Sequence, residues 1–103
     1  MNRVVLDASA LLALIHGEKG FEKLTPEIID AAVSSTVNLA EVHSKLISKG
    51  VEPNEAWEAA TAVVREFIPF PPEHARLAGS LVPHTRPLGL SLGDRACLAL
   101  GLS

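Results

Sequence analysis

Strand-like runs alternate with stretches of helical periodicity along this chain, and successive runs lie too far apart to close as hairpins. That alternation predicts a parallel sheet flanked by helices, an α/β fold. Arg3-Val4-Val5-Leu6 reads as a short buried strand ending at Asp7, and Ala8 to His16 continues as a helix closed by Gly17. Residues 18 to 30 read as a loop and a short helix with Pro26 in its first turn, and Ala32 to Thr36 as a second strand. From Leu39 the apolar positions Val42, Leu46 and Ile47 follow helical spacing, with Gly50 as the stop. Pro53-Asn54 opens another helix, carrying Ala56, Trp57, Ala60, Val63, Val64 and Phe67 on one stripe. Phe67 to Phe70 forms a third strand, which its prolines confine to an edge or to its ends. A helix over Glu73 to Val82, a loop over Pro83 to Leu90 and a last helix over Leu92 to Leu100 follow.

The last helix is nearly apolar all round apart from Asp94 and Arg95, and is expected to be covered on most sides. Past its cap at Gly101 the alternation calls for another strand. The chain is therefore expected to be a single domain over residues 1–103, C-terminally incomplete and lacking its final strand. With 103 residues it supports one modest core.

Composition narrows the function classes. Hydrophobic residues make up 48% and charged residues 20%, far from a disordered chain. One cysteine, Cys97, excludes an internal disulfide and a thiolate metal cluster, so a reducing compartment, the cytoplasm, is expected. The apolar run from Val4 to Ile15 is too short to span a bilayer, and Asp7 inside it argues against a signal peptide, so no membrane partner is expected. Net charge is −3, which gives no broad positive field for nucleic acid. A nucleic-acid substrate would have to be held locally, by a metal ion and a few arginines, for which Arg86 and Arg95 are candidates; Arg95 could as easily pair with a nearby acid. There is no glycine-rich phosphate loop.

Three acids stand out by position, and each has a plain structural explanation as well. Asp7 lies where a strand meets a helix, at the carboxyl edge of the sheet where open α/β proteins bind ligands, and equally serves as an N-cap. Asn38-x-x-Glu41 resembles a capping box, and Glu41 and Lys45 form an i, i+4 pair. Ser91-x-x-Asp94 matches the same capping pattern. All three acids thus sit near helix N-termini, where the helix dipole stabilises an anion. Should the parallel sheet bring those ends together, the cluster needs a cation, and hard oxygen donors select Mg²⁺ or Mn²⁺. The matching chemistry is phosphodiester hydrolysis. His16, His43, His74 and His84 share no spacing with the acids and read as structural, as does Cys97 in its apolar helix. Trp57 reads as a packing or dimer contact.

The segments Val4 to Leu14, Val37 to Val42 and Leu90 to Leu100 also resemble, in order and spacing, the three acidic motifs of PIN domains. The third is close to the form seen in VapC-type ribonuclease toxins of toxin–antitoxin pairs. The resemblance implies a metal-dependent RNA endonuclease, often a homodimer, inhibited by a small antitoxin protein that inserts a basic segment into the acidic site. By position Asp7, Glu41 and Asp94 would be the Mg²⁺ or Mn²⁺ ligands and catalytic residues, with Ser9 a supporting polar group. Read locally, Ser9 is a first-turn serine bonded to backbone. The family pattern continues into a strand with a further aspartate, so one ligand is expected to be missing. Two other classes compete: an inactive PIN fold acting as an antitoxin-binding or self-associating module, and a phosphotransfer enzyme with Asp7 as nucleophile. The last lacks a second acid two residues beyond Asp7.

Overall fold

The computed structural model describes residues 4–17 and 25–103. Arg3, read as the start of the first strand, and residues 18–24, read as loop, lie outside the described residues.

Three short parallel strands form the sheet: β1 (Val4–Val5), β2 (Ala32–Ser35) and β3 (Glu66–Ile68), in the order β1-β2-β3. Val4 and Val5 pair with Ala32 and Val33; Val33, Ser34 and Ser35 pair with Glu66, Phe67 and Ile68. The α/β expectation holds. β2 is central and all four of its residues are buried, which suits its small and β-branched composition. β3 begins one residue earlier than Phe67 and stops before Pro69, which has no N–H to give the ladder. It forms an edge, as its prolines require.

Helix α1 (Ala8–His16) ends on Gly17, whose φ of 63° is the left-handed conformation that closes a helix without a Cβ penalty. Helix α2 (Pro26–Asp30) starts with Pro26 and is capped by Thr25. Helix α3 (Thr36–Ser48) begins three residues before Leu39, because the Ser35 hydroxyl accepts the Val37 N–H at 3.1 Å and turns the strand directly into the helix. Helix α4 (Pro53–Ala62) stops short of the apolar stripe read for it. Val63 and Val64 leave the helix yet stay in the core, so the stripe runs through a helix end into β3. Helix α5 (Pro72–Ser80) follows. The segment read as loop holds a single helical turn, α6 (Val82–Thr85), and a 3₁₀ turn over Arg86–Leu88.

Helix α7 (Leu92–Leu102) runs through Gly101 instead of ending there. It packs on β1, β2, α3 and α5 through Gly93, Ala96, Ala99 and Leu100, the positions that recur on one helical face. Its opposite side is less covered than the expectation of cover on most sides: Leu92, Leu98 and Leu102 are exposed, as is Leu88 before it.

The main core is built where α1, α3 and α4 pack together over the sheet. It contains Leu6, Leu11, Leu39, Val42, Leu46, Ala56, Ala60 and Val64. Burying each large aliphatic side chain contributes about 1.5–3 kcal/mol, so this cluster fixes α3 relative to β1.

Candidate functional site

Asp7 leaves the carboxyl end of β1 and caps α1: its Oδ1 accepts the Ala10 N–H at 2.8 Å. The cap reading is correct, but it uses one carboxylate oxygen. Oδ2 has no hydrogen-bond partner among the described residues. The backbone that carries Asp7 is held by Leu6, whose N–H donates to the Val33 carbonyl at 2.9 Å and whose carbonyl accepts the buried Ser34 hydroxyl at 2.7 Å.

Asp94 repeats the pattern at α7. The Asp94 N–H donates to Ser91 Oγ at 3.1 Å, and Asp94 Oδ2 accepts the Ser91 N–H at 3.0 Å, completing a capping box. Again one oxygen is engaged and Oδ1 is left over among the described residues. Asp7 and Asp94 meet on a cavity of about 210 Å³ whose walls also include Leu90, Cys97 and Leu98. Cys97, read as core, is a half-buried wall of this cavity. Burial pushes its thiol pKa up, and the charges of Asp7 and then Asp94 push it further, since each disfavours a thiolate beside it.

Glu41 departs from its expected structural role. Ser35, not Asn38, caps α3, so Glu41 stands in the second turn and satisfies no free N–H. Nor does it pair with Lys45: the ion pair within 4.0 Å among the described residues joins Arg65 and Asp30 at 3.1 Å. Its carboxylate lies against Gly93 in the first turn of α7, so close that a Cβ on Gly93 would overlap Oε1 and Cδ. Asn38, one turn before it, is buried and donates from Nδ2 to the Gly93 carbonyl at 3.2 Å. The structure thus brings Asp7 and Asp94 onto one cavity and sets Glu41 beside the residue next to Asp94. Glu41 does not line that cavity. Among the described residues no three His, Cys, Asp or Glu side chains are gathered as a ready metal-binding group.

The donor chemistry fits a hard divalent ion: three carboxylates, two with a spare oxygen and a third without a hydrogen-bond partner among the described residues. The placement of Glu41, turned onto Gly93, does not complete the set as it stands.

The remaining candidates separate clearly. Ser9 is exposed and makes no side-chain hydrogen bond among the described residues, so neither of its readings is realised by a contact. Arg95 donates to the Ala78 carbonyl at 3.0 Å and ties α7 to α5, a structural use of one of its five N–H groups. Arg86 is exposed. His43 meets the Trp57 ring edge-on at 5.3 Å and His74 meets Phe70, as structural histidines do. A larger cavity of about 400 Å³, lined by Leu14, Ile15, Ile29, Ala59, Ala62 and Val63, shares no residue with the acidic one and holds no titratable group. Sequence reasoning missed Gly93 and Ser34. The glycine in the first turn of the helix is the one signal there of a close approach.

A family model for the PIN domain matches residues 4–103. The chain therefore belongs to the PIN-domain family, which makes it a nuclease-type protein with nucleic acid as its class of substrate. No curated protein and no solved structure matches the chain. No helix among the described residues is long and apolar enough to cross a membrane.

Proposed function

We propose that this PIN-domain protein is a metal-dependent RNA endonuclease, the toxin of a toxin–antitoxin pair, with Asp7, Glu41 and Asp94 as its metal-binding and catalytic acids. The observation that carries the reading is the shared cavity of Asp7 and Asp94, each held by a helix cap through one carboxylate oxygen with the other left over. Glu41 supports it by having no capping or ion-pair role among the described residues, while lying beside the residue that precedes Asp94. A bound Mg²⁺ or Mn²⁺ would activate water and neutralise phosphate charge. The chain's own share is to fix the carboxylates: the caps and the Ser34 bond hold Asp7 and Asp94 on rigid helix ends. Ser9, exposed in the first turn of α1 two residues after Asp7, would be a supporting polar group near that acid. The lone cysteine, which forms no internal disulfide, supports a cytoplasmic location.

The test is cleavage of a mixed RNA pool with Mg²⁺, Mn²⁺ or chelator. Wild type is expected to cut only with metal, and Asp7→Asn and Asp94→Asn to cut nothing while remaining folded. Equal cleavage by all three proteins overturns the proposal.

A second reading is supported by the exposed Leu88, Leu92, Leu98 and Leu102. Here the fold is inactive and engages an antitoxin or a second copy of itself. Size-exclusion chromatography and titration with an antitoxin test it; an inert monomer that binds no partner removes it.

A further inference from the structure

We infer that Arg95 is a substrate-binding residue: its guanidinium, anchored at one corner to α5, holds a backbone phosphate of the RNA beside the cavity of Asp7 and Asp94. This rests on the RNA endonuclease reading above and names the cation with which that site meets the charge of its substrate.

The overall field of the chain does not draw phosphates, because the net charge is −3. The two aspartates on the cavity repel them at close range. The strand therefore needs a fixed cation nearby. Of the four arginines among the described residues, Arg65, Arg76 and Arg86 are exposed, and Arg65 is already paired with Asp30 at 3.1 Å. Arg95 alone is half-buried. Its sequence position leaves open a pairing with a nearby acid, yet no carboxylate lies within 4.0 Å of it among the described residues, Asp94 included. A partly buried charge without a counter-ion is held at a cost that an arriving anion relieves.

The geometry suits such an anion. Arg95 Nη1 donates to the Ala78 carbonyl at 3.0 Å, in the last turn of α5. That bond uses one N–H and restrains the side chain, while the edge formed by Nε and Nη2 has no partner among the described residues. Such an edge donates two parallel bonds to a phosphate. A side chain already held in place also loses less rotamer freedom on binding. Leu98, three residues further along α7 and so a neighbour of Arg95 on the helix surface, is a wall of the cavity. Arg95 thus flanks the cavity on the side toward α5.

The experiment measures binding of a fluorescein-labelled single-stranded oligoribonucleotide by anisotropy over a series of NaCl concentrations, with chelator so that nothing is cut, beside thermal unfolding. Wild type is expected to bind with an affinity that falls as salt rises. Arg95→Gln should bind about tenfold more weakly at low salt. Its plot of log affinity against log salt should be shallower by about 0.7, the loss of one phosphate contact on a single strand. Arg65→Gln removes the same charge from a residue already paired, and should keep the wild-type slope. A purely structural Arg95 would lower thermal stability and leave the slope alone, so a wild-type slope in Arg95→Gln overturns the inference. Equal losses of slope in Arg95→Gln and Arg65→Gln overturn it too, since net charge alone would then explain them. If Arg95→Gln fails to fold, phenylglyoxal modification of wild type takes its place: RNA is expected to protect Arg95 and not Arg65, and equal modification of Arg95 with and without RNA counts against the inference. RNA binding by wild type that Arg95→Gln leaves unchanged removes this inference alone. No salt-dependent RNA binding by wild type removes the RNA reading and the inference with it.

Discussion

Ser34 donates its hydroxyl to the carbonyl of Leu6 at 2.7 Å, a fully buried bond between strands β2 and β1 at the residue just before Asp7. Removing the hydroxyl leaves the Leu6 carbonyl without that donor in a site water does not reach. Ser34→Ala is therefore expected to cost about 1–3 kcal/mol. Urea unfolding measures this. A loss under a few tenths of a kcal/mol would show that the bond does not anchor the strand end, and Asp7 would then owe its position to the α1 cap alone.

Asp7 and Asp94 combine capping with the proposed chemistry, and asparagine separates the two. An asparagine oxygen accepts from a backbone N–H as a carboxylate does, and asparagine ranks with aspartate as an N-cap. Asp7→Asn should thus keep thermal stability close to wild type, whereas Asp7→Ala loses about 0.5–2 kcal/mol with its bond to Ala10. Asp94→Asn keeps the acceptor for the Ser91 N–H and gives up only a first-turn charge, about 0.3–1 kcal/mol. Both asparagine variants should bring RNA cleavage to background. Stable variants with undiminished cleavage would leave capping as the whole role of these acids.

The β1–Asp7–α1 unit was legible because all its signals are local: an apolar run, a capping acid and a terminal glycine that takes positive φ. The start of α3 was not. Ser34, Ser35, Thr36 and Asn38 are all competent caps, and strand passes to helix without a loop, so spacing alone favoured Asn38. Asn38 instead bonds to Gly93, a contact across 55 residues that no local pattern encodes. The same holds for Glu41 on Gly93 and for the bare side of α7, whose cover depends on which elements reach it. If Ser35 is the true cap, Ser35→Ala destabilises by roughly 1 kcal/mol. Measured helicity and unfolding should show this loss; an unchanged protein would restore Asn38 as the cap.

Cys97 reports on the charge of the cavity it lines. Burial, then Asp7, then Asp94 raise its thiol pKa, so at mildly alkaline pH it carries less thiolate than a free cysteine. Iodoacetamide should modify it more slowly than a model thiol at the same pH. Asp7→Asn should speed the reaction by removing one of the opposing charges. The linkage has a definite sign. Because the folded-state pKa is raised, the unfolded chain loses this proton first, and the contribution to stability is full below the free-thiol pKa. It is lost as pH rises from there through the folded value. The group is only half-buried, so solvent screening keeps the effect small, and alkylation is the sharper measurement. Alkylation at the rate of a free thiol, unaltered by Asp7→Asn, would mean that Asp7 does not act on Cys97 across the cavity.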